Sequence, residues 1–199
     1  MIRRLRTPLL VTLAAVSLSA CIGLGGKTPP FLLTLDADVA PTAGGARTAA
    51  DAATLTILIP TAPQKLRTTR IPVQQDGSSV TYVKDAQWVE APQRLFQRLV
   101  SETVSARTSR VVLDEGQYLT APGEQLAGQL MEFGVDAATN EVVVVYQAMH
   151  VSTGGKTVTQ RRFEAREAIG GKVEAKPVGE ALTRAANKVA VEVTGWLES

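Results

Sequence analysis

The sequence predicts an α+β fold, a two-layer sandwich in which a mostly antiparallel sheet carries two amphipathic helices on one face. Three observations point there. Apolar residues recur at helical spacing in two separate stretches, Leu95 to Val104 and Val178 to Leu197. Three long strand candidates, Gln125 to Val135, Glu141 to Val151 and Thr157 to Ile169, follow one another through the short polar connections 136–140 and 152–156, which read as hairpins. Aromatic residues make up only 5% of a chain that is 45% apolar, so Ala, Val and Leu must fill the core that sheet and helices share.

The chain opens on a basic start (Arg3, Arg4, Arg6) and an apolar run from Leu9 to Leu18, the layout of a secretory signal with small residues before its cut. The run falls short of the roughly 20 residues that span a bilayer. Leu18-Ser19-Ala20-Cys21 resembles a lipobox, in which the cysteine sulfur receives a diacylglycerol before cleavage, and Cys21 is the only cysteine in the chain. Residues 1–20 then read as a lipoprotein signal peptide, 21–53 as a lipidated N-terminus and flexible tether, and 54–199 as the folded domain. Cleavage before Cys21 removes 20 of 199 residues and leaves 179, enough for one domain and a tether. It also removes three of 21 basic residues and none of the 19 acidic ones, so the balance turns from +2 to −1. No concentrated basic surface remains to suggest nucleic acid. With its one cysteine acylated, the domain has no disulfide and depends on its own core.

Ile22 to Pro30 is rich in glycine and proline and begins the tether. Phe31 to Leu35 reads as a possible short strand, and Pro41 to Ala53, almost wholly small or polar, as a loop without a packed core. Thr54 to Ile59 alternates and is β-rich, a first central strand stopped by Pro60 and Pro63. Arg70 to Gln75 and Ser79 to Lys84 flank Asp76-Gly77, a strong hairpin signal. Pro92 opens a helix whose Leu95, Phe96, Leu99, Val100, Thr103 and Val104 share one face, with Trp88 just ahead of it. Arg110 to Asp114 is a short strand, and Glu115 to Glu124 a loop. Val142 to Val145 is apolar on both faces and belongs at the centre of the sheet. Arg161, Arg162, Glu164, Arg166 and Glu167 mark the last strand as an edge. Gly170-Gly171 and Pro177 precede the closing helix.

Catalytic groups are few. His150 is the only histidine, it ends a predicted strand, and no thiol remains to partner it. One histidine makes a zinc site improbable, and neither a metal nor a cofactor is expected. Gly154-Gly155-Lys156-Thr157 resembles the end of a phosphate loop but lacks the leading glycine at the required spacing, and it lies between two strands. Asp114 with Glu115, and Glu164 with Glu167, have the pattern of surface carboxylates. Trp88 and Trp196 fit the helix–sheet interface, and each is also a possible partner contact.

From Thr54 to Arg107 the order of features resembles the auxiliary lipoproteins of ABC-type transport systems, the PqiC-like family. The strand Leu55 to Pro60, Pro63 with Leu66, Arg70-Ile71-Pro72-Val73, the hairpin to Val80-Thr81-Tyr82, and Gln87-Trp88-Val89-Glu90-Ala91-Pro92 opening a helix carry the likeness. Phe31-Leu32-Leu33-Thr34-Leu35 looks like the family's aromatic-leucine stretch, with Phe31 in place of the usual tyrosine. The resemblance implies a non-enzymatic, periplasm-facing component that works with a permease, an ATPase and an MCE-domain protein to move phospholipid or another hydrophobic substance, and that is capable of homo-oligomerising. Ile22, not aspartate, follows the lipid site and favours the outer membrane over the inner. The alternative is a lipoprotein activator of an envelope enzyme such as a peptidoglycan synthase. The modest tether disfavours it.

Overall fold

Element boundaries fall where turn residues and prolines put them. In the computed structural model, which describes residues 29–48, 54–116 and 123–199, the order is β1 (Thr54–Ile57), β2 (Arg70–Gln74), β3 (Val80–Gln87), α1 (Pro92–Arg107), β4 (Val111–Asp114), β5 (Glu124–Asp136), β6 (Glu141–Val151), β7 (Val158–Ala168) and α2 (Ala175–Leu197). The expected signal peptide over 1–20, the expected lipidation site Cys21, residues 49–53 and most of the loop expected over Glu115 to Glu124 lie outside the described residues. A compact unit runs from Phe31 to Ser199, so residues 31–48 belong to it and not to a separate tether.

The sheet is mixed. Antiparallel pairings of β2 with β3, β5 with β6 and β6 with β7 carry most of the ladder. Parallel pairings join β1 to β4, β1 to the start of β5, and β2 to the end of β5. One long edge of β5 is therefore shared by two short strands. Pro60 and Pro63, which lack an amide donor, separate them. Between the two, Thr61 still touches β5, its amide donating to Gly128 O at 3.0 Å and its carbonyl accepting from Leu130 N at 2.8 Å.

A register shift between Leu130 and Glu132 decides which side chains of β5 face the helices. Strict alternation would send Leu126 and Leu130 to one face and Phe133 and Val135 to the other. The extra residue, Met131, resets the count, and all four lie in the core with the helices. Opposite them on β6, Val142, Val144, Tyr146 and Ala148 face the same way. Phe96 of α1 meets the Tyr146 ring edge-on at 5.1 Å, and the Tyr146 hydroxyl donates to Ala127 O at 2.9 Å. A Cβ at Gly128 would stand 2.7 Å from that ring, so a glycine is what lets the tyrosine lie flat on β5.

Both helices cover this face. α1 buries the stripe expected of it, from Leu95 to Val104. α2 begins three residues before Val178 and buries Val178, Leu182, Ala185, Ala186, Val189, Val193 and Leu197. As expected from its charges, β7 pairs only with β6 and forms an edge.

Candidate functional site

Residues 31–48 form a strap across the helical layer, which local sequence patterning did not reveal. Its start is fixed at Leu33, whose amide donates to Gln87 O at 2.8 Å and whose carbonyl accepts from Val89 N at 2.9 Å. This single bridge to Trp88 replaces the strand expected over Phe31 to Leu35, because only Leu33 finds a partner. The Leu33 side chain lies so close to α2 that a Cβ at Gly179 would stand 2.9 Å from its Cδ2. Midway, the buried Asn187 side chain accepts from Asp38 N at 2.8 Å and donates to Asp36 O at 3.0 Å. Farther on, Arg47 Nη1 donates to the carbonyls of Ser105 at 2.5 Å and Thr108 at 3.1 Å, at the end of α1. Residues 41–48 are exposed, as read from their composition, yet Arg47 ties them to the helix.

The strap also orients the two ends of the layer. Leu33 lies beside the N-terminal ends of both helices, next to Trp88 before α1 and Gly179 in α2. At the other end, Arg110 after α1 donates through Nε to Glu198 at 2.8 Å, immediately after α2. The helices therefore run parallel, and the chain enters the domain at their N-terminal ends.

Arg110 is the centre of a polar cluster at the far end. It pairs with Glu124 and donates through Nη2 to Leu197 O at 3.1 Å, while His150 Nε2 lies 2.9 Å from Glu124 Oε2. Partial burial works to raise the Glu124 carboxyl, but hydrogen bonds from Arg110 and His150 outweigh it and hold the group below the usual carboxylate range. Trp196 stands next to His150, with ring centroids 6.0 Å apart, and packs on Phe163 at 5.7 Å. These residues come from four separate elements, and no spacing in the sequence links them.

Trp88 packs at the helix–sheet interface, the first of the two roles read for it. It is 1% exposed and meets Phe133 edge-on at 5.7 Å, so it presents no surface to a partner. Trp196 is half-buried and remains a proposed contact. Glu164 pairs with Arg166 at 3.1 Å and Glu167 with Lys188, so each carboxylate is paired with a cation. Residues 153–155 form an exposed turn between β6 and β7, as the hairpin reading required. On the sheet face away from the helices, a groove of about 380 Å³ is lined by Pro72, Gly134, Val143, the Lys65–Glu132 pair at 2.6 Å and the Arg166–Asp136 pair at 3.1 Å. Among the described residues, no group of three or more potential metal ligands converges, and no helix is long and apolar enough to cross a membrane.

A family model described as "ABC-type transport auxiliary lipoprotein component" matches residues 33–194, from the fixed point of the strap almost to the end of α2. No curated protein shows significant similarity to the chain. Among solved structures, protein XCC0632 from Xanthomonas campestris, of family DUF330, superposes with a TM-score of 0.69 at 17% identity, covering 84% of this chain and 94% of that one. An uncharacterized protein superposes with a TM-score of 0.65 at 11% identity, covering 84% and 96%. At such identities the likeness speaks for the fold alone.

Proposed function

The chain belongs to the ABC-type transport auxiliary lipoprotein family, and from that membership we propose that it is a non-enzymatic, periplasm-facing component of an MCE-associated transporter that moves phospholipid or another hydrophobic substance across the envelope. Membership in a lipoprotein family carries membrane anchoring with it. Acylation of Cys21 in the outer membrane is the form we propose for that anchor. The observation that supports the reading most is the extent of the family match. It takes in the strap from Leu33, α1, the whole sheet and all but the last turn of α2, so nearly the whole folded unit falls within the family's domain. The role is positional: the acyl chains hold one end, and the folded domain engages the MCE-domain partner.

Purification of the tagged lipoprotein from detergent-solubilised native membranes tests this. Recovery of an MCE-domain protein together with a permease and an ATPase is the expected result. Recovery of a peptidoglycan synthase in their place would overturn it.

A further inference from the structure

Seven large apolar side chains are exposed among the described residues; Val80, Val158 and Val191 are exposed singly, and the other four lie at one end. Phe31 is 48% exposed and Leu32 50%, at the start of the strap, and Val89 is 44% exposed on the residue bonded to Leu33. Val173, 37% exposed, lies two residues before α2. All four belong to the end where the chain enters the domain. Their base is fixed, because Leu33 is bonded to Gln87 and Val89 and packed on Gly179. Phe31 and Leu32 are thus presented by the fold, although their exposed apolar surface would be more favourably seated in an apolar medium. The surrounding charge is mixed. Neither helix has an acidic residue in its first turn, and Lys176 lies in the first turn of α2 with Lys172 before it, but Glu174 and Glu180 offset them.

We propose that this end of the domain rests on the bilayer surface, with Phe31, Leu32, Val89 and Val173 at the boundary between headgroups and acyl chains and Lys172 and Lys176 beside lipid phosphates. The inference rests on acylation of Cys21. A lipid surface is the occupant because of chain length: Cys21 lies ten positions before Phe31, which keeps the two within about 33–36 Å of each other whatever the conformation between them. At that distance the membrane is presented to the patch at an effective concentration in the millimolar range. Four side chains are too few for the roughly 1,200–2,000 Å² of a stable protein interface, but they suffice as a second signal beside an acyl anchor. Apolar contact provides most of the attraction, so the anionic lipid fraction has only a modest effect.

The full-length lipoprotein carrying Leu32→Cys is labelled with a polarity-sensitive fluorophore and reconstituted into phosphatidylethanolamine–phosphatidylglycerol vesicles containing a nitroxide lipid. Val158→Cys, exposed at the start of β7 and so at the opposite end, is the control. The expected result is a blue-shifted emission and several-fold stronger quenching at position 32 than at 158. Equal quenching in an acylated, vesicle-bound protein overturns this inference and leaves the anchor standing. A blue shift at position 32 that needs added MCE-domain protein assigns the patch to a protein and overturns it too. An unmodified Cys21 by mass spectrometry, with no flotation on vesicles, removes the premise and the inference together.

Discussion

The two ends of the helical layer are built on opposite principles. Where the chain enters, backbone bonds at Leu33 and tight packing on Gly179 hold the strap, while aliphatic and aromatic side chains stand uncovered around it. At the far end the polar groups of Arg110, Glu124, His150 and Glu198 satisfy one another, and Trp196 and Leu197 close over them. A cluster whose charges are already paired has little left to offer a ligand. An apolar patch on a fixed base has unmet surface, so the entry end has more to offer something outside the chain than the paired charges of the far end, where Trp196 is the proposed contact.

The contrast predicts that damage near the entry end costs most where it reaches the core. Trp88→Ala removes a fully buried indole under the Leu33 bridge and is expected to lower stability by about 3–5 kcal/mol in chemical denaturation. A loss below 1 kcal/mol would show that the strap's base is loosely packed. Asn187→Leu leaves Asp38 N and Asp36 O without their side-chain partner, at a cost of about 1–3 kcal/mol. Amide exchange should accelerate at Asp38 and leave β6 unchanged. Uniform acceleration would mean that strap and sheet open together.

Local order was legible in the sequence and long-range pairing was not. Both helices, the β5–β6–β7 hairpins and the Asp76-Gly77 turn follow from periodicity and turn chemistry confined to short windows. The parallel pairings of β1 and β2 on one edge of β5 join residues far apart, and nothing in either strand names its partner. Met131 looks like one more step of alternation, so the bulge that reverses the faces of β5 was hidden. β3 also runs to Gln87, three residues beyond Lys84, through Asp85 at φ 52°, a conformation aspartate tolerates better than most residues do. The strap was obscured by composition: small and polar residues read as a tether, although Leu33, Asp38 and Arg47 each make one specific attachment.

The far end is sharpened by acid. Arg110→Ala removes bonds to Glu124, Glu198 and the Leu197 carbonyl, and because the side chains are partly solvated about 1–2 kcal/mol is expected at neutral pH. The folded-state carboxyl of Glu124 titrates below its unfolded value of about 4.3, so its contribution is complete above that pH and is lost as pH falls through the lower, folded value. Denaturation curves of wild type and Arg110→Ala should therefore run parallel from pH 7 to about 5 and converge below about 4. A gap that widens on acidification would mean that Glu124 is not the partner that matters.

The smallest effect belongs to Arg47, and it tests whether the strap has one anchor or two. Its guanidinium meets the carbonyl of Ser105 in the last turn of α1 and those of Thr108 and Arg110 just beyond, at the end where helix carbonyls lack an intrahelical partner and carry the negative end of the dipole. The site is exposed, and Thr108 already donates to Val104 O at 3.0 Å, so Arg47→Ala should cost only about 0.3–1 kcal/mol. Salt then separates charge from geometry. Raising ionic strength should shrink the difference between wild type and the alanine variant, because an exposed charge is screened. Arg47→Lys should recover part of the loss at low salt, since it keeps the charge and gives up the planar fork. If Arg47→Ala instead loosens the strap as far back as Asp38 in amide exchange, the Asn187 attachment does not hold alone, and the fixed base beneath Phe31 and Leu32 depends on both ends of the layer.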